Sequence, residues 1–173
     1  NNYSCSFVNN TAGVINVRQL TATATGVNKV YDGTTTATVT LSDNRVSGDV
    51  LTASYTAATF ADRTVGTSKT VSVSGISITG TDAANYQLAS TTATTTADIT
   101  SRPITVTAAV NTKTYDRTTS AAATPTVTSG TLAAGDAGSF TETYDSANVG
   151  TSKTLTPTGT VKDAGDVDVT SNY

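Results

Sequence analysis

The sequence predicts an all-β chain of two tandem units, and three observations carry that expectation. Lys29-Val30-Tyr31-Asp32-Gly33-Thr34-Thr35 returns as Lys113-Thr114-Tyr115-Asp116-Arg117-Thr118-Thr119, with Tyr31 and Tyr115 84 positions apart. Val65-Gly66-Thr67-Ser68-Lys69-Thr70 returns unchanged 84 positions later as Val149 to Thr154, and Asn85-Tyr86 returns 87 positions later as Asn172-Tyr173. Such a period is too long for a solenoid unit of roughly 20 to 50 residues and suits one small domain. Third, Thr makes up about a quarter of the chain. Together with Val and Tyr it fits a pleated, half-buried surface, while Met and Trp are absent and helix formers other than Ala are scarce.

Leu, Ile, Val and Phe total 32 of 173 residues, which predicts modest cores, yet a formal net charge of -3 lacks the strong imbalance typical of disorder. A further Asn-Tyr at Asn2-Tyr3 stands 83 positions before Asn85-Tyr86. Residues 1–16 therefore read as the exit strand of a preceding repeat, 17–100 as the first repeat, and 101–173 as a second repeat lacking its own exit strand. Alternatively the unit is complete at Asn172-Tyr173 and the exit segment belongs to the next one; a unit short of a strand at one end, with a spare at the other, could instead pair head to tail with its neighbours by strand addition.

Taken in order, Val14, Ile15, Val17 and Leu20 lead into Thr21-Ala22-Thr23-Ala24, which matches Ile104-Thr105-Val106-Thr107-Ala108 as the opening strand of a unit. Asp32-Gly33 marks a tight turn, because Gly accepts positive φ and Asp can bond the backbone just ahead. Since the second unit has Asp116-Arg117 there, a turn at this place need not require positive φ, and a type I turn or short loop is expected ahead of an obligate type I′ hairpin. Tyr31 and Tyr115 read as aromatic anchors of the core edge rather than ligand contacts. Thr36 to Leu41 alternates as a strand, and Val50 to Phe60 supplies the next strand region, with Tyr55 and Phe60 mirrored by Phe140 and Tyr144. Keeping the ring while exchanging its type suits a core better than a stacking site. Val65-Gly66-Thr67 reads as a turn. Val71-Ser72-Val73 and Ile76-Ser77-Ile78 are two strand runs parted by Gly75, Thr79 to Asn85 is a loop, and Tyr86 to Ile99 leaves the unit. At the join, Pro103 lacks an amide hydrogen and holds Arg102 extended, so the link is short and stiff. Pro125 and Pro157 each mark an edge strand or a strand end.

Little of this points to chemistry. Without His there is no Ser-His-Asp or Cys-His nucleophile, and the lone Cys5 can form neither an intramolecular disulfide nor a thiolate metal cluster. No glycine pattern cradles phosphate, and no catalytic residue and no cofactor are assigned. Asp163, Asp166 and Asp168 form a small acidic cluster. Hard cations such as calcium take carboxylate oxygens, but the first unit has only Asp82 in the corresponding loop, so a solvated acidic loop is expected ahead of a metal site. Lys29, Lys69, Lys113 and Lys153 recur one for one between the units. Snorkelling at strand ends is the expectation for them, ahead of an isopeptide crosslink, which needs a buried lysine, its partner and a nearby acid. The acidic balance argues against nucleic acid, and no basic amphipathic stretch argues for membrane contact.

The Lys-x-Tyr-Asp-Gly-Thr-Thr turn, the Arg-Pro-Ile-Thr-Val-Thr-Ala strand at Arg102 to Ala108 and the Asn-Tyr landmarks together resemble the YDG and MBG repeat families. These are similar to bacterial immunoglobulin-like modules of large surface adhesins, including filamentous-haemagglutinin-like proteins. The resemblance implies tandem immunoglobulin-like β-sandwiches joined into an elongated rod, in a secreted or cell-surface bacterial protein. Arg117 in place of Gly departs from the motif. The expected function is a structural stalk whose partners are neighbouring repeats of the same parent chain. The alternative is an adhesive module whose loops at Asp43 to Asp49 and Ser129 to Asp136 contact host glycan or protein.

Overall fold

The computed structural model describes residues 2–173 and contains fourteen β-strands, two short 3-10 turns and no α-helix among them. The first repeat runs through β1 (Arg18–Leu20), β2 (Ala22–Val27), β3 (Lys29–Val30), β4 (Thr38–Asp43), β5 (Thr52–Ser54), β6 (Ala57–Phe60), β7 (Gly66–Ser74), β8 (Ser77–Thr79), β9 (Tyr86–Leu88) and β10 (Thr92–Thr100). Its main sheet has the order β3-β10-β7-β6, with β10 antiparallel to β7 and parallel to β3. The β2–β4 hairpin packs across it, and β5–β8 and β1–β9 close the far end.

Alternation along the strands makes the core. In β7, Val71 and Val73 are buried while Ser72 and Ser74 face solvent, as a period of two requires. In β10, Ala97 and Ile99 point inward. With Tyr31, Val39, Phe60 and Ile76 they form one cluster between the sheet and the hairpin, and Leu20, Leu51 and Tyr86 form a second at the other end. Burying each large side chain is worth about 1.5–3 kcal/mol. The hairpin lies close over β10: a Cβ on Gly26 would stand 2.4 Å from the Thr96 carbonyl oxygen, so only glycine fits at that approach.

The second repeat runs through β11 (Thr105–Thr107), β12 (Thr126–Ser129), β13 (Ala137–Tyr144) and β14 (Leu155–Lys162). The β11–β12 pair stands for β2–β4. The β13–β14 ladder is continuous from Ala137↔Lys162 to Tyr144↔Leu155, where the first repeat breaks the same ladder into β5–β8 and β6–β7 at Gly75. Pro125 precedes a strand, and Pro157 lies within β14, which has β13 as its single strand neighbour. Among the described residues nothing corresponds to β3 or β10 here, and residues 150–154, which match the start of β7, are not in a strand.

Several expectations are corrected. Gly33 has φ 78° and Arg117 φ 66°, so both turns use the left-handed region, against the expectation that positive φ is not required there. The cause is the side chains. Asp32 Oδ1 accepts the Thr34 amide and hydroxyl at 2.9 Å each and the Lys29 ammonium at 2.8 Å, and Lys29 also donates to the Thr34 and Thr36 carbonyls. Lys113, Asp116 and Thr118 repeat the arrangement. The loop closes around the ammonium, and the residue between Asp and Thr must adopt positive φ. The lysine stems lie over Phe60 and Tyr144, with the ammonium 5.4 and 5.6 Å from the ring centroids.

Val65-Gly66-Thr67 does not form the turn expected of it: Gly66 begins β7, and the tight turn precedes it at Asp62 to Thr64. Tyr31 is fully buried, as anchoring requires, but Tyr115 is 57 % exposed. Residues 2–17 form no strand and are exposed throughout. Asn1, the first residue of that expected strand, lies outside the described residues.

A left-handed L-residue costs roughly 1–2 kcal/mol relative to glycine. Gly33→Ala should therefore lower stability by about 1 kcal/mol, although its Cβ has room. Arg117→Gly should leave stability unchanged or raise it by up to about 1 kcal/mol, less the chain entropy of the new glycine. Urea denaturation of the two variants measures both.

Candidate functional site at the repeat junction

The recurring Asn-Tyr landmark has a structural cause in each repeat. Tyr86 donates its hydroxyl to Asp49 at 2.5 Å and accepts the Val46 amide at 2.9 Å. Tyr173 does the same with Asp136 at 2.6 Å and the Ala133 amide at 2.9 Å. A tyrosine after a 3-10 turn thereby ties down the loop that follows the β4 or β12 strand. Because these loop residues are 87 apart while the Lys-Tyr-Asp motifs are 84 apart, three residues are added between the two landmarks, within or after β12.

The two repeats meet where Tyr31 of the first joins this tie in the second. The Tyr31 hydroxyl donates to the same Asp136 Oδ2 at 3.0 Å, and its ring stands edge-on to Tyr173 with centroids 5.5 Å apart and planes at 78°. Burial, then Asp136, raises the hydroxyl pKa of Tyr31, and the same two causes push Tyr173 up to about 12. Both hydroxyls therefore stay protonated donors to the one carboxylate.

Polar contacts frame this contact. Buried Asn172 accepts the Val65 amide through Oδ1 at 3.0 Å, and its carbonyl accepts the Arg102 amide at 2.9 Å. Arg102 Nε donates to the Thr131 carbonyl at 2.6 Å and a second guanidinium nitrogen to the Thr131 hydroxyl at 2.6 Å. Pro103 holds the chain extended beside it, as the sequence indicates. On the other flank, Arg63 pairs with Asp163, whose Oδ1 accepts the amides of Gly165 and Val167 at 2.8 and 2.9 Å. The Val167 amide first, then Gly165 and Arg63, hold the Asp163 carboxyl below its ordinary value despite burial.

The acidic cluster is thus divided among separate partners. Asp163 is buried against Arg63 rather than solvated, Asp166 pairs with Lys162 at 2.8 Å, and Asp168 accepts the Thr170 amide and hydroxyl. The three are not brought together, and no group of three His, Cys, Asp or Glu among the described residues is arranged to hold a metal. The Ser129 to Asp136 loop contributes Thr131, Ala133 and Asp136 to the junction. In the Asp43 to Asp49 loop, Asp43 pairs with Arg45 at 2.5 Å and Asp49 takes Tyr86. Composition and spacing carried no sign that Tyr31, Arg63, Arg102 and Asp136 would converge. Only the strict recurrence of Tyr and Asn-Tyr hinted at it.

Tyr31→Phe removes one hydrogen bond to Asp136 and should cost about 1 kcal/mol, whereas Asp136→Ala leaves two buried hydroxyls short of an acceptor and should cost more, about 2–3 kcal/mol. Thermal unfolding of each variant checks the order. The pH response has two limits. Tyr173 is raised, so its contribution is full below the ordinary 10.0 and is lost as pH rises toward about 12. Asp163 is lowered, so its contribution is full above 3.8 and is lost as pH falls through its lower folded value. Junction amide signals in nuclear magnetic resonance spectra, followed from pH 7 in both directions, should change at those two extremes and not between them.

Comparison with known sequences agrees with the internal repeat. The profile of the YDG domain matches residues 16–95 and again residues 100–173, the first match stopping within β10. No curated protein and no solved structure matches the chain. The two matches cover most of the sequence, and the chain belongs to the YDG domain family as two tandem copies.

Proposed function

We propose that these repeats are spacer segments of a bacterial cell-surface or secreted adhesin of the filamentous-haemagglutinin-like kind, holding a distal binding region away from its anchor. The observation that supports this reading is the full burial of Tyr31 beneath Asp136 and Tyr173 of the following repeat. A tyrosine of the repeat's own signature serves to fix the next repeat, which is the requirement of a rod rather than of beads on a loose tether. The partners are then neighbouring repeats of the same chain, with no role for nucleic acid or direct membrane contact, and no catalysis. The hydroxyl-rich outer faces of the strands present hydrogen-bonding groups to water along the rod.

Small-angle scattering tests the rod. The wild-type chain should fit one fixed arrangement of the two repeats, and Asp136→Ala with Arg63→Ala should broaden the distribution of distances while each repeat keeps its strands. Equal breadth in both proteins would reject a junction built for stiffness. A glycan and host-protein panel at up to about 100 µM covers weak single-site contacts. Saturable binding that disappears when the Asp43 to Asp49 loop is exchanged would replace the spacer by the adhesive reading.

A further inference from the structure

Asp32-Gly33 is the single Asp-Gly pair in the sequence, which has no Asn-Gly pair, and it stands at the repeat junction. Tyr31 beside it donates to Asp136 of the second repeat. The Gly33 carbonyl accepts a guanidinium nitrogen of Arg63 at 3.4 Å, and Arg63 also pairs with Asp163 of the second repeat. A Cβ on Gly33 would stand 3.5 Å from both the Ala133 Cβ and the Ala134 carbonyl oxygen, so the backbone here packs directly on the next repeat.

An aspartate followed by glycine can rearrange its own backbone. The Gly33 amide nitrogen, with no side chain beside it, attacks Cγ of Asp32. A C–N bond forms and closes a succinimide ring, a C–O bond of the carboxyl breaks, and the departing hydroxyl leaves with the amide proton as water. A second water then opens the ring. Opening at Cγ restores aspartate, whereas opening at the main-chain carbonyl leaves the chain running through Cβ and Cγ as isoaspartate. One water leaves and one enters, so no other reactant is needed. The step does require a protonated carboxyl, because an ionised one has no hydroxyl to lose.

The signature turn opposes that step. Asp32 Oδ1 is held by the Thr34 amide, the Thr34 hydroxyl and the Lys29 ammonium, and Lys29 is itself fixed by the Thr34 and Thr36 carbonyls at 2.8 and 2.9 Å. Burial favours the neutral carboxyl, but the Lys29 hydrogen bond, followed by those of Thr34, outweighs it and keeps Asp32 ionised. The second repeat is a built-in contrast. Lys113 and Thr118 hold Asp116 in the same way, but Arg117 follows it, and its side chain crowds the nitrogen that would attack.

We propose that Asp32-Gly33 is an isoaspartate-forming site at the junction, kept closed by Lys29, and that its conversion releases the second repeat from the first. Isoaspartate adds one atom to the main chain between Tyr31 and Gly33. Tyr31 under Asp136 and Gly33 against Ala133 cannot then both keep their places, since a close-packed contact does not absorb an extra atom. The lysine of the motif thereby protects the chemical integrity of the backbone as well as the shape of the turn.

The full chain tests this when incubated for weeks at neutral pH and body temperature, with isoaspartate counted by enzymatic methylation and located by peptide mapping. Circular dichroism before incubation establishes that each variant keeps its strands. Folded wild type should accumulate isoaspartate at Asp32 several-fold more slowly than wild type held unfolded in urea. Lys29→Met should accumulate it several-fold faster than folded wild type. Lys113→Met should gain none at Asp116, and Lys29→Met combined with Gly33→Ala should gain none at Asp32. Should Lys29→Met lose its strands, Thr34→Val, which removes one donor to Oδ1 and keeps the ammonium, should show a smaller rise of the same kind. Small-angle scattering of aged Lys29→Met should show a broader distribution of distances than the same protein when fresh, while the aged double variant stays as it began. Folded wild type that isomerises as fast as the unfolded chain, a folded Lys29→Met or Thr34→Val no faster than wild type, equal conversion at Asp116 in Lys113→Met, or an isoaspartate-containing protein whose scattering is unchanged overturns the proposal.

Discussion

One carboxylate, that of Asp136, accepts two tyrosine hydroxyls that come from different repeats. Tyr173 reaches it from the end of its own repeat, and Tyr31 reaches it from the signature motif of the repeat before. A single acceptor shared in this way makes the internal order of the second repeat and its attachment to the first the same event. If the loop carrying Asp136 were unformed, Tyr31 would have no partner and a buried ring in the first core would lose its cover. If the first repeat were absent, the tie of Tyr173 would stand open on one side. The Asn172 amide oxygen on Val65 and the guanidinium of Arg63 on Asp163 extend the same dependence to either side. Buried polar groups of this kind are costly unless each is satisfied, so the junction tolerates one relative placement of the repeats far better than others.

Much of the architecture could be read from the residues. The alternation of Val71-Ser72-Val73, the break at Gly75 and the prolines before a strand or in an edge strand are local signals, and local signals are what period and turn chemistry report. The Asp-Gly turn was harder. Arg117 at the place of Gly33 suggested that no positive φ was needed, whereas the ammonium of Lys113 and the carboxylate of Asp116 hold even an arginine in the left-handed region. Tyr31 and Tyr115 show the wider limit. Their neighbours in sequence are nearly the same, yet one is fully buried and the other mostly open, because what covers Tyr31 lies more than a hundred residues away. The acidic run at Asp163 to Asp168 posed the same difficulty, since the partner of Asp163 is Arg63 of the other repeat. Identity of sequence fixes what a segment can pair with; it does not say what has arrived there.

The order of β10 between β3 and β7 bears on how the first repeat meets mechanical load. In the proposed spacer role, a pull along the chain would reach the first repeat through Arg18 and through Thr100, the last residue of β10. To be drawn out, β10 must slide along its own axis past an antiparallel neighbour over most of its nine residues, and past a parallel neighbour at its final two. The inter-strand bonds run across that axis, so they bear the pull together rather than parting one after another from a free end. Ile99 and Ala97, held in the core, would have to cross it in the same movement. In that role β10 would be loaded in shear.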